Sequence, residues 1–152
     1  MLTKESISEG LMNLQDRICS GLEALDKKSQ FKEDKWARTG GGGGRTRVIQ
    51  HGGVIDKGGV NFSAVHGEMP QQLLKTLKVD QIESDQALEF FATGVSIVLH
   101  PESPMTPITH MNVRYFEINN GTWWFGGGID LTPIDIDKNL AADFHQKMKQ
   151  VC

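Results

Sequence analysis

Residues 94–133 read GVSIVLHPESPMTPITHMNVRYFEINNGTWWFGGGIDLTP, and this stretch limits the possible folds most sharply. Three runs rich in Val, Ile, Tyr, Phe and Trp are separated by a proline-rich connection and by an Asn-Gly pair. That is the pattern of consecutive antiparallel strands. An Asn-Gly flanked by apolar alternation predicts a tight hairpin around residues 119–121. Three prolines at 101, 104 and 107 predict a stiff, extended connection before it. The triple glycine at 126–128 predicts a bulge or a close approach of a ligand to the backbone. The same strands carry His100, His110, Asn112, Arg114 and Asp130. Such groups share strands with bulky apolar residues where a sheet face lines a cleft or is solvated.

The flanking sequence supplies helices. Ile7, Leu11, Leu14, Ile18, Leu22 and Leu25 recur at steps of three and four, which predicts an amphipathic helix over residues 3–29. A capping box of Ser6 with Glu9 and a start at Thr3 serve its N-terminus equally well. Residues 136–151 predict a second helix with Asp137 as cap and Leu140, Phe144, Met148 and Val151 on one face. Between the first helix and the central stretch, residues 30–38 are charged around Trp36. Five glycines follow at 40–44. Alone they favour a flexible linker. Arg45 and Arg47, immediately before the strand-like RVIQHGGVI, narrow the gap to an anion-contacting loop. No Gly-Lys-Ser/Thr follows, so a P-loop is excluded. Residues 45–66 predict two strands joined at DKGG, with His51 and His66 in structural roles. Residues 67–91 predict a short helix or loop excursion.

This order of elements predicts one α+β domain over residues 1–152: a large antiparallel sheet flanked by helices on both faces. Only 38% of residues are apolar and 17 are glycine, which favours turns over a helical bundle. A net charge of −3 offers no basic field for nucleic acid. Cys19 and Cys152 have no paired spacing, so neither a disulfide framework nor an oxidising compartment is expected. No window approaches the ~20 apolar residues of a transmembrane helix. The N-terminus lacks a basic start followed by an apolar core, and Glu5, Glu9 and Asp16 argue against a mitochondrial presequence. The expectation is a cytoplasmic protein.

Strand alternation then orders the chemistry. In HMNVRYFE, His110, Asn112 and Arg114 project from one face at about 7 Å steps, while Met111, Val113 and Tyr115 face the other way. Ser96, Val98 and His100 share a face in GVSIVLH. An arginine suits a carboxylate or phosphate. A histidine exchanges protons near neutrality. Asp130 can accept N–H groups from a ligand. The residues themselves describe a sheet-face site for an anionic organic ligand, against the alternative of a solvated polar face. His100, His110 and His145 also permit a metal reading, although their spacing matches no zinc signature.

The blocks GGGGRTRVIQHG, KGGVNFSAVHG, GVSIVLHP, HMNVRYFE and WWFGGGIDLTP together resemble the oxygen-dependent coproporphyrinogen III oxidases of haem biosynthesis, in that family's order. The resemblance implies oxidative decarboxylation of two propionates of coproporphyrinogen III to vinyl groups. The product is protoporphyrinogen IX, with O2 as acceptor and carbon dioxide and hydrogen peroxide released. It implies no organic cofactor, a divalent metal whose requirement is disputed, and a homodimer built on a large flat sheet between helices. His110 matches the position assigned as proton donor, and Asp130 the acidic residue holding pyrrole N–H groups. Ser96, Asn112 and Arg114 match substrate contacts. His100, His110 and His145 match proposed metal ligands. Members of the family continue past residue 152, with a further substrate arginine, a further histidine and much of the dimer contact. A truncated, inactive tetrapyrrole-binding or dimerising form is therefore the alternative expectation.

Overall fold

The computed structural model describes residues 2–70 and 87–151. Helix α1 (Lys4–Asp26) leads into six strands: β1 (Lys32–Ala37), β2 (Gly42–Gln50), β3 (Ile55–Glu68), β4 (Glu89–Pro101), β5 (Ile108–Ile118) and β6 (Trp123–Thr132). Helix α2 (Lys138–Val151) closes the order. Every strand pairs antiparallel with its neighbour in sequence, so the sheet is a six-stranded meander in the order β1-β2-β3-β4-β5-β6. The α+β class and the antiparallel sheet expected from sequence are both present. The predicted excursion over residues 67–91 falls largely outside the described residues; its ends are strand, β3 running to Glu68 and β4 starting at Glu89.

Helix α1 begins at Thr3, whose hydroxyl accepts from Ser6 N–H while the Ser6 hydroxyl accepts from Thr3 N–H. Thr3, not Ser6, is thus the cap. The helix buries Cys19 against Val60, Phe62, Val95 and Ile97, with Leu11, Met12, Ile18 and Leu22 packed around them. The seam is centred differently from the apolar stripe. Leu25 is 59% exposed, while Gln15 is fully buried. Gln15 Nε2 donates to the carbonyls of Arg45 and Val60, both at 2.7 Å, and stitches the helix to β2 and β3. Asp26, at the other end, is also buried. Its carboxylate accepts five backbone N–H groups, from Lys28, Ser29, Gly53, Val54 and Ile55. Those bonds, led by Ile55 and Val54, hold its pKa far below the usual carboxylate range against the cost of burial.

Three local expectations are corrected. The glycines at 40–44 are not a linker: Gly41 (φ 110°) and Gly42 (φ 80°) make the β1–β2 turn, and β2 starts inside the run. Positive φ favours glycine at those two positions. Gly44 lies under the Trp36 ring, where a side chain would collide. The β2–β3 turn is at residues 51–54, tied by Asp26, and DKGG lies within β3. The proline-rich connection is a compact turn in which Thr106 N–H bonds Ser103 C=O at 3.1 Å. The Asn-Gly hairpin forms as expected, with Gly121 N–H on Ile118 C=O and Ile118 N–H on Thr122 C=O. Asp137 caps α2 by accepting from Asn139 and Leu140 N–H. Cys19 is a buried free thiol.

Candidate functional site

Alternation assigns the two faces of the sheet. Val60, Phe62, Val95, Ile97, Met111 and Val113 face α1. Their neighbours in each strand face the other way, and register aligns these into rows. In one row Ser96 is opposite Asn112, and Asn112 opposite Gly128. In the next, Val98 is opposite His110, and His110 opposite Asp130. In the third, Gly94 is opposite Arg114, and Arg114 opposite Gly126. Ser96, Asn112, Arg114, His110 and Asp130 therefore share one face on three adjacent strands. No described helix packs on that face, and Arg114 and Asp130 are exposed.

His110 and Asp130 are in direct contact, Nδ1 to Oδ1 at 2.8 Å, with 43% and 62% of their side chains exposed. The carboxylate favours the neutral tautomer protonated on Nδ1, leaving Nε2 as the proton acceptor; when the ring is charged, both nitrogens donate. Asp130 Oδ1 also accepts from the Thr132 hydroxyl at 3.4 Å. Its second oxygen has no hydrogen bond among the described residues. This pairing was implicit in the sequence: Asn120 lies ten positions from both residues, so equal counting back from the hairpin places them opposite each other.

Arg114 passes over Gly126, with Nε 3.7 Å from the position a Cβ would take there. Among the described residues it makes no salt bridge. The contrast with the glycine-flanking arginines is direct. Arg45 bonds Gln15 Oε1, Asp16 and the Met12 carbonyl. Arg47 bonds Asp16 at 2.7 Å and Glu33 at 2.8 Å. Burial opposes the Arg47 charge, but Glu33, Cys19 and Asp16 more than offset it and its pKa is raised. The Arg47 bond in turn lowers the Glu33 pKa. Both arginines thus fasten α1 and β1 to β2, and the anion-loop expectation for residues 40–47 is not met.

The three histidines expected as metal ligands are not gathered. His100 is exposed on the same face as His110. It is a diagonal neighbour across the β4–β5 pair, at roughly 7–8 Å. His145 is on α2 with its ring against Phe144. Helix α2 borders the α1 side of the sheet, where Met148 and Val151 share an apolar groove with Leu11, Met111 and Val113. Among the described residues no three His, Cys, Asp or Glu side chains form a metal-ligating group. The donor set among the described residues does not by itself fit a divalent ion. His51 and His66 stand apart from the site: His51 (φ 56°) is in the β2–β3 turn and His66 lies against Gly41.

An imidazole held by a carboxylate, a guanidinium with no salt bridge among the described residues and two neutral hydrogen-bonding side chains thus share one sheet face, an arrangement chemically suited to an acidic organic molecule. Comparison with known proteins narrows that class. The sequence model of the family described as coproporphyrinogen III oxidase matches residues 6–152, and the chain belongs to that family. It is 45% identical over 151 residues to the oxygen-dependent coproporphyrinogen-III oxidase of Prochlorococcus marinus (strain MIT 9312), covering 99% of this chain and 42% of that protein. The Synechococcus sp. (strain CC9902) enzyme of the same name is 49% identical over 143 residues, 93% of this chain and 38% of that protein. A chloroplastic one from Glycine max is 47% identical over 147 residues, 91% and 38% respectively. The chain spans about two fifths of the length of these relatives.

Proposed function

We propose that this chain carries the substrate face of an oxygen-dependent coproporphyrinogen III oxidase. The observation that supports this most is the His110–Asp130 pair on one sheet face with Arg114, which is exposed and makes no salt bridge among the described residues. In each conversion a propionate loses its carboxylate as carbon dioxide and one hydrogen from the carbon next to the pyrrole, and a vinyl double bond forms. Two electrons pass to O2. With that hydrogen and one proton from the medium they give hydrogen peroxide. Arg114 binds a propionate carboxylate. Asp130 fixes the His110 tautomer and offers its second oxygen to a pyrrole N–H. His110 Nε2 exchanges the proton that the reaction moves. Asn112 and Ser96 hydrogen-bond the substrate in the adjoining row. The acceptor is O2 and the chemistry needs no organic cofactor, since the electron-rich substrate is itself the reductant.

A cytoplasmic homodimer completes the proposal. Among the described residues no helix is long and apolar enough to cross a membrane. Exposed Phe125, Ile129 and Leu140 near the β6 edge are candidates for subunit contact. A second reading is a tetrapyrrole-binding unit without turnover, since an exposed Arg114 on a sheet face can hold a propionate without reacting it.

Aerobic incubation with coproporphyrinogen III separates the two, products being oxidised and resolved as porphyrins by chromatography. Protoporphyrin formation that is lost in Arg114→Ala and in Asp130→Ala supports the enzyme. Unchanged rates in both variants remove the site assignment. Porphyrin binding without product identifies the binding unit.

A further inference from the structure

The glycines of this sheet fall into two groups by what a side chain would meet. On the α1 side they are required by packing. A Cβ at Gly43 would collide with the Trp36 carbonyl, and one at Gly127 with the Asn112 carbonyl. At Gly58 it would lie 2.7 Å from the Leu99 side chain. On the site face Gly94 is also tight, a Cβ there lying 2.6 Å from the Val113 carbonyl, but on β6, beside His110 and Asp130, the constraint disappears. At Gly128 a Cβ would meet nothing within 4 Å, and at Gly126 only ordinary contacts, with Arg114 Nε at 3.7 Å and Trp124 at 3.9 Å. Neither residue has a positive φ. Neither backbone conformation nor packing therefore calls for glycine at either position. Glycine inside a strand costs about 0.5–1 kcal/mol relative to alanine. A residue that weakens the strand and relieves no clash marks a place where another backbone or a ligand approaches.

The location says which. Gly128 is opposite Asn112, one row from the His110–Asp130 pair, and Gly126 is opposite Arg114. The two glycines leave a bare notch in the site face, bounded by the guanidinium and the imidazole–carboxylate pair. We propose that Gly128, with Gly126, determines specificity: the notch seats the tetrapyrrole ring against the bare peptide groups of β6 while Arg114 and His110 reach its edge. This rests on the substrate class proposed above and deepens it. A short aliphatic carboxylate would need the arginine but not the notch. A broad macrocycle needs both.

The test pairs a fold readout with a binding readout on the same chain. Coproporphyrin III, the stable oxidised tetracarboxylate, is titrated by fluorescence against the wild type and against Gly128→Ala and Gly128→Val. Thermal melts are recorded for each. A Gly127→Val control, on the packed side, shows that the melt detects a strand defect. The expected result is a melting temperature at or above wild type for both Gly128 variants, with binding weakened in order of side-chain size, by about tenfold or more for valine. A Gly128→Val protein that melts like wild type and binds equally well overturns the notch and leaves the tetrapyrrole reading standing. Unfolding of Gly128→Val also overturns it, because the glycine would then serve the fold. Absence of coproporphyrin binding by the wild type removes the tetrapyrrole reading, and the notch with it.

Discussion

Replacing Gln15 by methionine, which keeps its length and approximate shape, tests whether α1 is held to the sheet by polar bonds as well as apolar packing. Gln15 is fully buried and makes three bonds of 2.7 Å: two donated to the Arg45 and Val60 carbonyls and one accepted from Arg45 Nε. A neutral hydrogen bond contributes about 1 kcal/mol net, and one to a charged group about 2 kcal/mol. The loss is then about 4 kcal/mol, of which the less polar methionine recovers about 1 kcal/mol by burial. The expected net destabilisation is about 3 kcal/mol, a large share of the ~5–15 kcal/mol that holds ordinary domains together. Urea titration followed by far-ultraviolet circular dichroism measures it directly. The midpoint should fall with the slope unchanged, since the surface exposed on unfolding is the same. A Gln15→Met/Arg45→Met double variant should lose less than the sum of the two single losses, because both residues share one bond. A loss below ~1 kcal/mol in Gln15→Met, at unchanged slope, would refute the argument that these bonds seat the helix.

Two titrations follow from buried groups away from the site. The Asp26 pKa is depressed by its backbone donors. Its contribution is present above the ordinary aspartate value and is lost as pH falls through the depressed one. Asp26→Asn should melt lower at neutral pH and lose less stability than wild type below about pH 4; parallel curves would contradict this. Burial, with the Glu117 carboxylate that accepts from the Tyr115 hydroxyl at 2.7 Å, pushes the Tyr115 phenol up to about 12. A raised phenol stabilises the fold below its unfolded value and ceases to do so as pH rises through the folded one. Melts between about pH 10 and the folded value should therefore fall for wild type and stay flatter for Tyr115→Phe; an equal fall in both would show that Tyr115 does not carry the alkaline limb.

Much of the candidate site's layout was legible because a strand writes its geometry into every second residue. HMNVRYFE placed His110, Asn112 and Arg114 on one face, and the Asn-Gly hairpin fixed what lay opposite them. The readings that failed share a cause. KEDKWA became β1 although all six residues are exposed, so an edge strand left no apolar alternation to detect. Gln15 and Asp26 sit in the buried seam of α1, but a stripe defined by apolar residues passes over polar groups that are buried because they bond backbone. The glycines at 40–44 have a linker's composition, and their role depends on two positive φ angles and on Trp36 lying over Gly44. Arg45 and Arg47 looked available for an anion because Asp16 and Glu33 are distant in sequence and adjacent only once the helix and β1 have docked.

The meander has a consequence for how the chain reaches this state. Each strand pairs with its neighbour in sequence, so apart from the longer connection between Glu68 and Glu89 pairing can advance hairpin by hairpin at little loop-closure cost. Helix α1 is the exception. It precedes the sheet in the chain, yet Gln15 bonds Val60 across 45 positions, and the Ser8 hydroxyl accepts from Thr93 across 85. Until β3 and β4 have emerged, the helix cannot bury Cys19 against Val60, Phe62, Val95 and Ile97. A helix that precedes the sheet is thus among the last elements to dock, and its arrival covers one face of the described sheet while His110, Asn112 and Arg114 stay on the other.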